Sequence, residues 1–172
     1  MRRTFINALA EAARRDPRIV LLTADLGWGV LSGFDGCFAD EFPSQFLNVG
    51  VAEQNMIGVA TGLAKNGYIP FCWSISPFAV LRPLEFILRG PILHNVPVRI
   101  VCTGRGEEYK DAGPTHWADE AEDVIKTLVK RHGVHWHTPH SADSVRACVN
   151  DLVDTAFYTG PAFVSLSKGG CK

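Results

Sequence analysis

The sequence lacks a surplus of charge, a long apolar run and a paired set of cysteines. Its 17 lysines and arginines balance 18 aspartates and glutamates, so no basic surface for nucleic acid or an anionic membrane is expected. No apolar stretch approaches the ~18–20 residues of a membrane helix, and the charged start MRRTFINALAEAARRDP contains no signal-peptide segment. The five cysteines are far apart and form no CxxC pair, which is typical of a reduced protein. We therefore expect a cytoplasmic protein that binds neither nucleic acid nor a membrane.

Short β-rich apolar runs alternate with amphipathic segments along the 172 residues. This length fits one domain, and a hydrophobic content of 47% supplies its core. Continuous apolar runs are typical of buried parallel strands, and strands separated by helices form right-handed crossovers. The sequence therefore predicts an α/β fold in a single domain, residues 1–172, with a largely parallel six-stranded sheet and helices on both faces. The predicted strands are Ile19–Thr23, Phe46–Val49, Tyr68–Trp73, Val98–Thr103, Val134–His137 and Ala162–Ser165.

Apolar residues at helical spacing predict the intervening helices. These helices cover residues 5–13, 51–66, 77–88, 119–131 and 141–156, and Pro83 interrupts the third of them. Residues 24–44 are predicted to form a long glycine-bearing loop. Ligands of open parallel sheets bind beyond the carboxyl ends of the strands. The candidate site is therefore expected in the loops that follow the first four strands.

Two motifs are similar to known ligand sites without matching them. Gly27, Gly29 and Gly33 give the spacing GxGxxxG, and no predicted helix begins there, so a dinucleotide fingerprint is not supported. His135 and His137 share one face of the fifth predicted strand, which is an acceptable spacing for zinc ligands. No paired cysteines or acidic residues accompany them, and two half-exposed strand histidines are the simpler interpretation.

Glu53 is the acidic residue with the most informative surroundings. It opens the predicted helix after the second strand, among Val49, Val51, Ala52 and Met56. A helix N-terminus stabilises a carboxylate, which is a purely structural explanation of the residue. The apolar neighbours also predict a desolvated carboxyl group, and no cationic partner is evident nearby. A buried glutamate without such a partner is a candidate functional residue.

Asp25 and His116 fall at the same predicted edge of the sheet as Glu53. Asp25 follows the first strand, and His116 lies in the loop after the fourth. Each residue by itself could be an ordinary loop residue. Their placement with Glu53 at the carboxyl ends of the strands favours a shared site.

The segment around Glu53 resembles a known enzyme family. NVGVAEQNMIGVATGLAKNGYIPF, residues 48–71, looks like the pyrimidine-binding domain of the transketolase family of thiamine diphosphate enzymes. ADL at 24–26, FPSQFLNVG before the glutamate, PVRIV and GPTHWADE at 113–120, and the final GPAFVSLSKG follow in the family's order. The resemblance covers nearly the whole chain. It implies a thiamine diphosphate-binding fold and thiamine diphosphate as the cofactor.

The resemblance also implies roles for five residues. Glu53 matches the family's helix-start glutamate, which hydrogen-bonds N1′ of the aminopyrimidine and so helps N4′ to remove the C2 proton. His116 matches a histidine on the substrate side of the thiazolium, and both residues are thus implied to be catalytic. Asp25 matches an aspartate near the cofactor and the subunit interface, and Phe78 matches an aromatic residue of the pyrimidine pocket. Ile75 stands where transketolases usually stack a phenylalanine on the pyrimidine.

The substrate end of the implied site departs from the family pattern. Ala112 stands in place of the usual acid before Gly-Pro-Thr-His, and Gly29 and Gly104 stand where transketolases tend to have a serine and a histidine that grip phosphate. Arg2 matches an arginine of that phosphate cluster. A modified or non-phosphorylated ketose therefore remains an alternative to a pentose phosphate.

The family's Mg²⁺ motif, GDG…N, lies on a different domain and has no clear counterpart here. Residues 33–36, GFDG, are only weakly similar to it. The resemblance therefore implies no metal ligand in this chain, and Mg²⁺ (or Ca²⁺) held by a diphosphate-binding partner subunit. It predicts a heteromer, of α2β2 type, in which this chain is inactive alone.

The residues and the resemblance together favour one function and leave two alternatives. The favoured function is the pyrimidine-binding subunit of a split transketolase-like transferase, which moves a two-carbon ketol unit between sugars or sugar phosphates. One alternative is a subunit of another thiamine diphosphate enzyme, either a 2-oxo acid decarboxylase or a deoxyxylulose-phosphate-synthase-like enzyme, because Ile75, Ala112 and Gly104 depart from the transketolase pattern. The other is a non-catalytic assembly or regulatory relative, which would have no need of a desolvated Glu53.

Overall fold

A computed structural model describes residues 1–169 of the chain and shows one parallel sheet. The strand order is β2-β1-β3-β4-β6-β5, and every neighbouring pair is parallel. The predicted six-stranded parallel sheet is therefore confirmed. The strands are β1 (Ile19–Thr23), β2 (Phe46–Asn48), β3 (Ile69–Ile75), β4 (Arg99–Thr103), β5 (His135–His137) and β6 (Ala162–Leu166).

Helices connect the strands and cover both faces of the sheet. They are α1 (Arg2–Ala13), α2 (Phe38–Glu41), α3 (Glu53–Lys65), α4 (Ser76–Val80), α5 (Leu84–Ile87), α6 (Asp119–His132) and α7 (Ala142–Val153). A π-helical turn follows α5, and two 3₁₀ turns at Lys110–Ala112 and Pro114–His116 lie in the loop after β4. Within residues 1–169, no helix combines the length and the apolar character that crossing a membrane requires.

Alternating side chains of each central strand build two separate cores. Leu21 and Phe71 point to the face covered by α1 and α7, where they are fully buried with Phe5. Leu22 and Cys72 point to the opposite face and pack with residues of α3, α4 and α6. Because successive residues of a strand face opposite sides, runs such as IVLLT must be apolar throughout. The prediction of helices on both faces is confirmed.

Two predicted segments differ from the structure. The loop predicted at residues 24–44 contains the short helix α2, whose Phe38 packs on Phe42, the residue after the helix, with ring centroids 4.9 Å apart. The helix predicted at residues 77–88 is divided into α4 and α5. Pro83 lies at this division, since proline has no N–H to donate to the preceding turn.

A buried arginine joins the sheet to α7. The guanidinium of Arg99, in β4, donates to the carbonyl oxygens of Leu152 at 2.8 Å, Gly160 at 2.7 Å and Tyr158 at 2.7 Å. Burial lowers the pKa of Arg99 to about 10, so it remains charged at neutral pH. These bonds satisfy carbonyl groups at the end of α7 and in the loop before β6.

Candidate active site

The first four strands end side by side, and the segments that follow them carry the predicted site residues. β2, β1, β3 and β4 are neighbours in that order, and parallel pairing places all their carboxyl ends at one edge. Asp25 follows β1, Glu53 follows β2, Phe78 follows β3 and His116 follows β4. The local reason is the same in each case: a strand of the sheet ends and its chain emerges in a loop or helix start.

Glu53 is buried, and it has a cationic partner. It is the first residue of α3, and only 4% of its surface is exposed. Nη1 of Arg82 donates to its Oε1 at 2.9 Å. The prediction of a desolvated carboxyl is confirmed, and the expectation that no cation accompanies it is wrong. Arg82 comes from the turn between α4 and α5, 29 positions along the chain, which the neighbourhood of Glu53 in the sequence cannot reveal.

Arg82 also contacts Phe78, and Phe78 contacts His116. The guanidinium carbon of Arg82 lies 3.8 Å from the centroid of the Phe78 ring, within the range of a cation–π contact. The rings of Phe78 and His116 meet edge to face, with centroids 4.9 Å apart and planes at 73°. Nδ1 of His116 is 3.0 Å from Oγ1 of Thr115. Glu53, Arg82, Phe78 and His116 thus form one continuous line of contacts, which we call the site row.

Asp25 belongs to a hydrogen-bonded pair beside the site row. Its backbone N–H donates to Oδ1 of Asn48 at 3.0 Å, and Nδ2 of Asn48 donates back to Oδ1 of Asp25 at 3.1 Å. The N–H of Gly50 donates to the same Asn48 oxygen at 3.0 Å. Asp25 has a backbone φ of +55°, which aspartate tolerates better than most residues. The pair joins the ends of β1 and β2, and Asp25 bonds to Asn48 rather than to Glu53 or His116.

Ile75 is half-buried at the end of β3, opposite Thr103 of β4. The next residue, Ser76, donates from Oγ to the carbonyl oxygens of Thr103 at 3.1 Å and Gly104 at 2.6 Å. A hydroxyl can share its single proton between two nearby acceptors. Ser76 thereby holds the start of α4, and with it Phe78, against the end of β4.

Arg2 lies apart from the site row, beside Tyr109. Its Nη1 donates to the Tyr109 hydroxyl at 3.4 Å, and Nζ of Lys168 lies 4.7 Å from the centroid of the same ring. The ring also covers Gly104, where a Cβ atom would overlap Cε2 of Tyr109. Tyr109 therefore fills the space beside position 104. The sequence alone does not single out Tyr109 or Arg82, although the spacing from Phe78 to Arg82, i to i+4, is that of side chains sharing a helix face.

The two strand histidines pack on an aromatic ring. The ring centroids of His135 and His137 lie 4.5 and 5.4 Å from that of Tyr158. Burial lowers the pKa of His137 below its ordinary value, which favours the neutral ring. In the part of the chain that the structure describes, no group of three or more histidine, cysteine, aspartate or glutamate side chains is arranged to hold a metal ion.

The whole described chain matches one family. The model of the transketolase pyrimidine-binding domain matches residues 1–171. The chain therefore belongs to the transketolase pyrimidine-binding domain family, and the expected resemblance is confirmed.

Relatives within this family include subunits and longer enzymes. The 6-deoxy-6-sulfo-D-fructose transketolase subunit SqwH of Clostridium sp. is 31% identical over 168 residues, which are 98% of this chain and 49% of that protein. An apulose-4-phosphate transketolase subunit of Phocaeicola vulgatus is 32% identical over 167 residues, 97% of this chain and 51% of that protein. The 1-deoxy-D-xylulose-5-phosphate synthase 1 of Geobacter sulfurreducens is 38% identical over 170 residues, 97% of this chain and 25% of that protein.

A solved relative shows the same fold. It is a split-gene transketolase in an inactive beta4 tetramer, which matches with a TM-score of 0.80 and 32% identity over 98% of this chain and 51% of that one. The chain thus spans about half the length of this structure and of the two subunit relatives.

Proposed function

We propose that this chain is the pyrimidine-binding part of a split thiamine diphosphate-dependent transketolase-like enzyme. It would transfer a two-carbon ketol unit between sugars or sugar phosphates together with a separate diphosphate-binding subunit. The observation that carries the proposal is the buried carboxyl of Glu53 at a helix start, in contact through Arg82 with an aromatic ring and a histidine. Ligands of parallel sheets bind beyond the carboxyl ends of the strands, and a buried carboxyl at that edge is a candidate functional group.

The side chains of the site row fit the aminopyrimidine half of the cofactor. That half is a planar ring with hydrogen-bonding nitrogens, and it needs a carboxyl group and an apolar or aromatic surface. Glu53 offers the carboxyl, whose Oε1 accepts from Arg82 in the free chain. Phe78 and Ile75, both half-buried, offer the apolar surface. Thiamine diphosphate, when bound, supplies a carbon nucleophile at C2 of its thiazolium ring.

Each residue of this chain then has a distinct task. Glu53 would share a hydrogen bond with N1′ of the aminopyrimidine, and its burial would keep water from competing for that bond. Phe78 and Ile75 orient the ring by packing. His116 uses Nδ1 toward Thr115, which leaves Nε2 to hold or accept a proton at the substrate. The Asp25–Asn48 pair keeps the ends of β1 and β2 in place beside the ring.

The partner subunit supplies the metal and the diphosphate contacts in this proposal. Two relatives are named as transketolase subunits, and a third as a split-gene transketolase. The described residues contain no cluster of metal ligands, so Mg²⁺ (or Ca²⁺) would be held by the diphosphate-binding subunit in an α2β2 heteromer. The four cysteines of residues 1–169 are free and buried, which supports a reducing, cytoplasmic setting for this step of carbohydrate metabolism.

The substrate proposed is a ketose with an anionic end. The named substrates of two relatives carry a sulfonate and a phosphate. Arg2 and Lys168 both contact Tyr109 and supply positive charge near the carboxyl edge of β4. The second candidate function is a deoxyxylulose-phosphate-synthase-like reaction, which the 38% identity to such an enzyme favours.

The first prediction tests Glu53. The chain is mixed with a GDG-bearing partner subunit from the same source, and ketol transfer is measured with thiamine diphosphate and Mg²⁺. We expect activity only in the mixture, and a loss of about 10²-fold or more in Glu53→Gln and Glu53→Ala, because proton transfer by a positioned side chain contributes on this scale. Glu120→Gln is the matched control, since Glu120 is also an acid in the first turn of a helix but is exposed.

Three results would contradict this proposal or redirect it. Full activity of the chain alone would refute the need for a partner. A mixture that is indifferent to Glu53→Gln would favour an assembly or regulatory role. Release of carbon dioxide from a 2-oxo acid, without ketol transfer between sugars, would favour the deoxyxylulose-phosphate-synthase-like or decarboxylase alternative.

A further inference from the structure

We infer that Arg82 closes the pyrimidine site of the free chain and must leave it before the cofactor's ring can enter. This inference rests on the proposed function of the site row. The charge and the position of Arg82 both oppose the binding of a ring between Glu53 and Phe78.

One planar cation covers both proposed binding elements of the pocket. The guanidinium of Arg82 donates to Oε1 of Glu53 at 2.9 Å, and its central carbon lies 3.8 Å from the centroid of the Phe78 ring. An aminopyrimidine ring is also planar, also donates or shares a proton with a carboxylate, and also stacks on an aromatic face. Two groups cannot occupy one close-packed position, so the guanidinium and the ring compete.

Arg82 is the exposed member of this ion pair. Its side chain is 47% exposed, whereas that of Glu53 is 4% exposed and fixed at the start of α3. Arg82 lies between Leu81 and Pro83, in the turn that separates α4 from α5. Within residues 1–169, its side chain makes its polar and aromatic contacts with Glu53 and Phe78. A rotation of this long side chain toward solvent therefore opens the pocket without moving the backbone.

The closed state accounts for the burial of Glu53 in the free chain. A carboxylate that is buried without a partner is costly, and Arg82 removes that cost until a ligand arrives. When only a fraction of the molecules has the pocket open, the apparent affinity falls by that fraction. Arg82 is thus a positioning residue: it neutralises Glu53 while the site is empty, and it lowers the apparent affinity of the site for the cofactor.

The second prediction follows for variants of Arg82. Binding of thiamine, which has the aminopyrimidine and no diphosphate, is measured by NMR titration of the full chain, and binding of thiamine diphosphate by calorimetry. We expect Arg82→Ala to bind both about tenfold more tightly than the wild type, which corresponds to the loss of about one competing charge-assisted hydrogen bond. Arg82→Lys keeps the charge but not the planar stack. Its affinity for both ligands should therefore lie between those of the wild type and of Arg82→Ala. Arg146→Ala is the control, because Arg146 is an exposed arginine of α7 that pairs with Asp143, away from the site row.

The outcomes separate this inference from the proposed function. One result would overturn the role of Arg82 and leave the proposed function standing. In it, both Arg82 variants are folded by their NMR spectra and bind the ligands no more tightly than the wild type, while Glu53→Ala weakens binding. Failure of every form to bind thiamine diphosphate, together with an inactive reconstituted mixture, would overturn both. Tighter binding by Arg82→Ala, together with wild-type affinity in Arg146→Ala, supports the inference.

Discussion

Glycine at position 104 decides which side chain fills the space just beyond the carboxyl end of β4. Its φ is +84°, and an added Cβ atom would overlap the Tyr109 ring. Tyr109 in turn meets Arg2 and Lys168. The absence of a side chain at one position thus lets a tyrosine from later in the same loop take up the space.

The third prediction concerns this pair of residues. Gly104→Ala should lower the free energy of unfolding by about 1–3 kcal/mol, because alanine is strained at positive φ and the Tyr109 ring must move. The free energy of unfolding is measured with urea. Gly104→Ala is then also made in a protein that carries Tyr109→Ala. The cost of Gly104→Ala should be smaller in that background, because the clash is gone and only the backbone strain remains. Equal costs in both backgrounds would show that Tyr109 does not occupy this space.

Glu53 illustrates what a single residue reveals and what it does not. Its apolar neighbours and its place at a helix start are sufficient to predict a buried carboxyl. They do not reveal the charge of Arg82, which reaches Glu53 only after the segment between α4 and α5 has folded over the sheet edge. Ion pairs between distant segments leave no local pattern.

At the scale of elements, the start of α7 is an unusually complete helix cap. The N–H of Ser144 donates to Oγ of Ser141 at 3.1 Å, and the N–H of Ser141 donates to Oγ of Ser144 at 2.9 Å. The two serines satisfy two backbone donors that would otherwise lack partners. α7 packs on α1 over one face of the sheet, so its start affects the stability of that layer.

The fourth prediction tests this cap. Ser141→Ala should lower the free energy of unfolding by about 1 kcal/mol, the usual cost of losing a helix-capping side chain. Ser44→Ala, in the exposed loop before β2, is the matched control and should stay within about 0.5 kcal/mol of the wild type. Urea unfolding of the wild type, Ser141→Ala and Ser44→Ala measures the two changes in free energy. A Ser141→Ala protein as stable as the control would show that the cap contributes nothing.

The differences between predicted and observed elements have local causes. The predicted strands agree with the observed ones to within about two residues at either end. For β1, β3, β4 and β6 the reason is that burial on both faces imposes continuous apolar runs. The sequence does not predict helix α2, since four residues are too few to show helical periodicity. Pro83 predicts an interruption, and the structure shows two short helices with Arg82 in the turn between them.

At the scale of the whole molecule, buried titratable groups make stability depend on pH. His137 packs on Tyr158, and burial lowers its pKa, with smaller effects from Asp151, which raises it, and from His135 and Arg99, which lower it. The unfolded chain therefore takes up a proton at His137 more readily than the folded chain does. The stabilising contribution is complete above about pH 6.5, the ordinary histidine value, and is lost as the pH falls through the lowered pKa.

The fifth prediction states this dependence as a measurement. The urea midpoint should fall between pH 7.5 and pH 5.5, roughly the range around the ordinary histidine value, and the fall should be smaller in His137→Gln. His132→Gln, at the exposed end of α6, should keep the wild-type dependence. An unchanged pH dependence in His137→Gln would contradict the assignment.

The sequence by itself determined the succession of strands and helices along the chain, the two-sided core and the family. Each of these follows from local patterns: apolar runs, helical periodicity and the segment around Glu53, which need no knowledge of distant contacts. Tertiary structure alone decided which residues meet at the carboxyl edge. Folding brought Arg82 onto Glu53 and Phe78, set Phe78 against His116, and placed Tyr109 over Gly104. The physical reason is that such contacts join segments far apart in the chain, and their geometry depends on how the sheet aligns the segments that carry them.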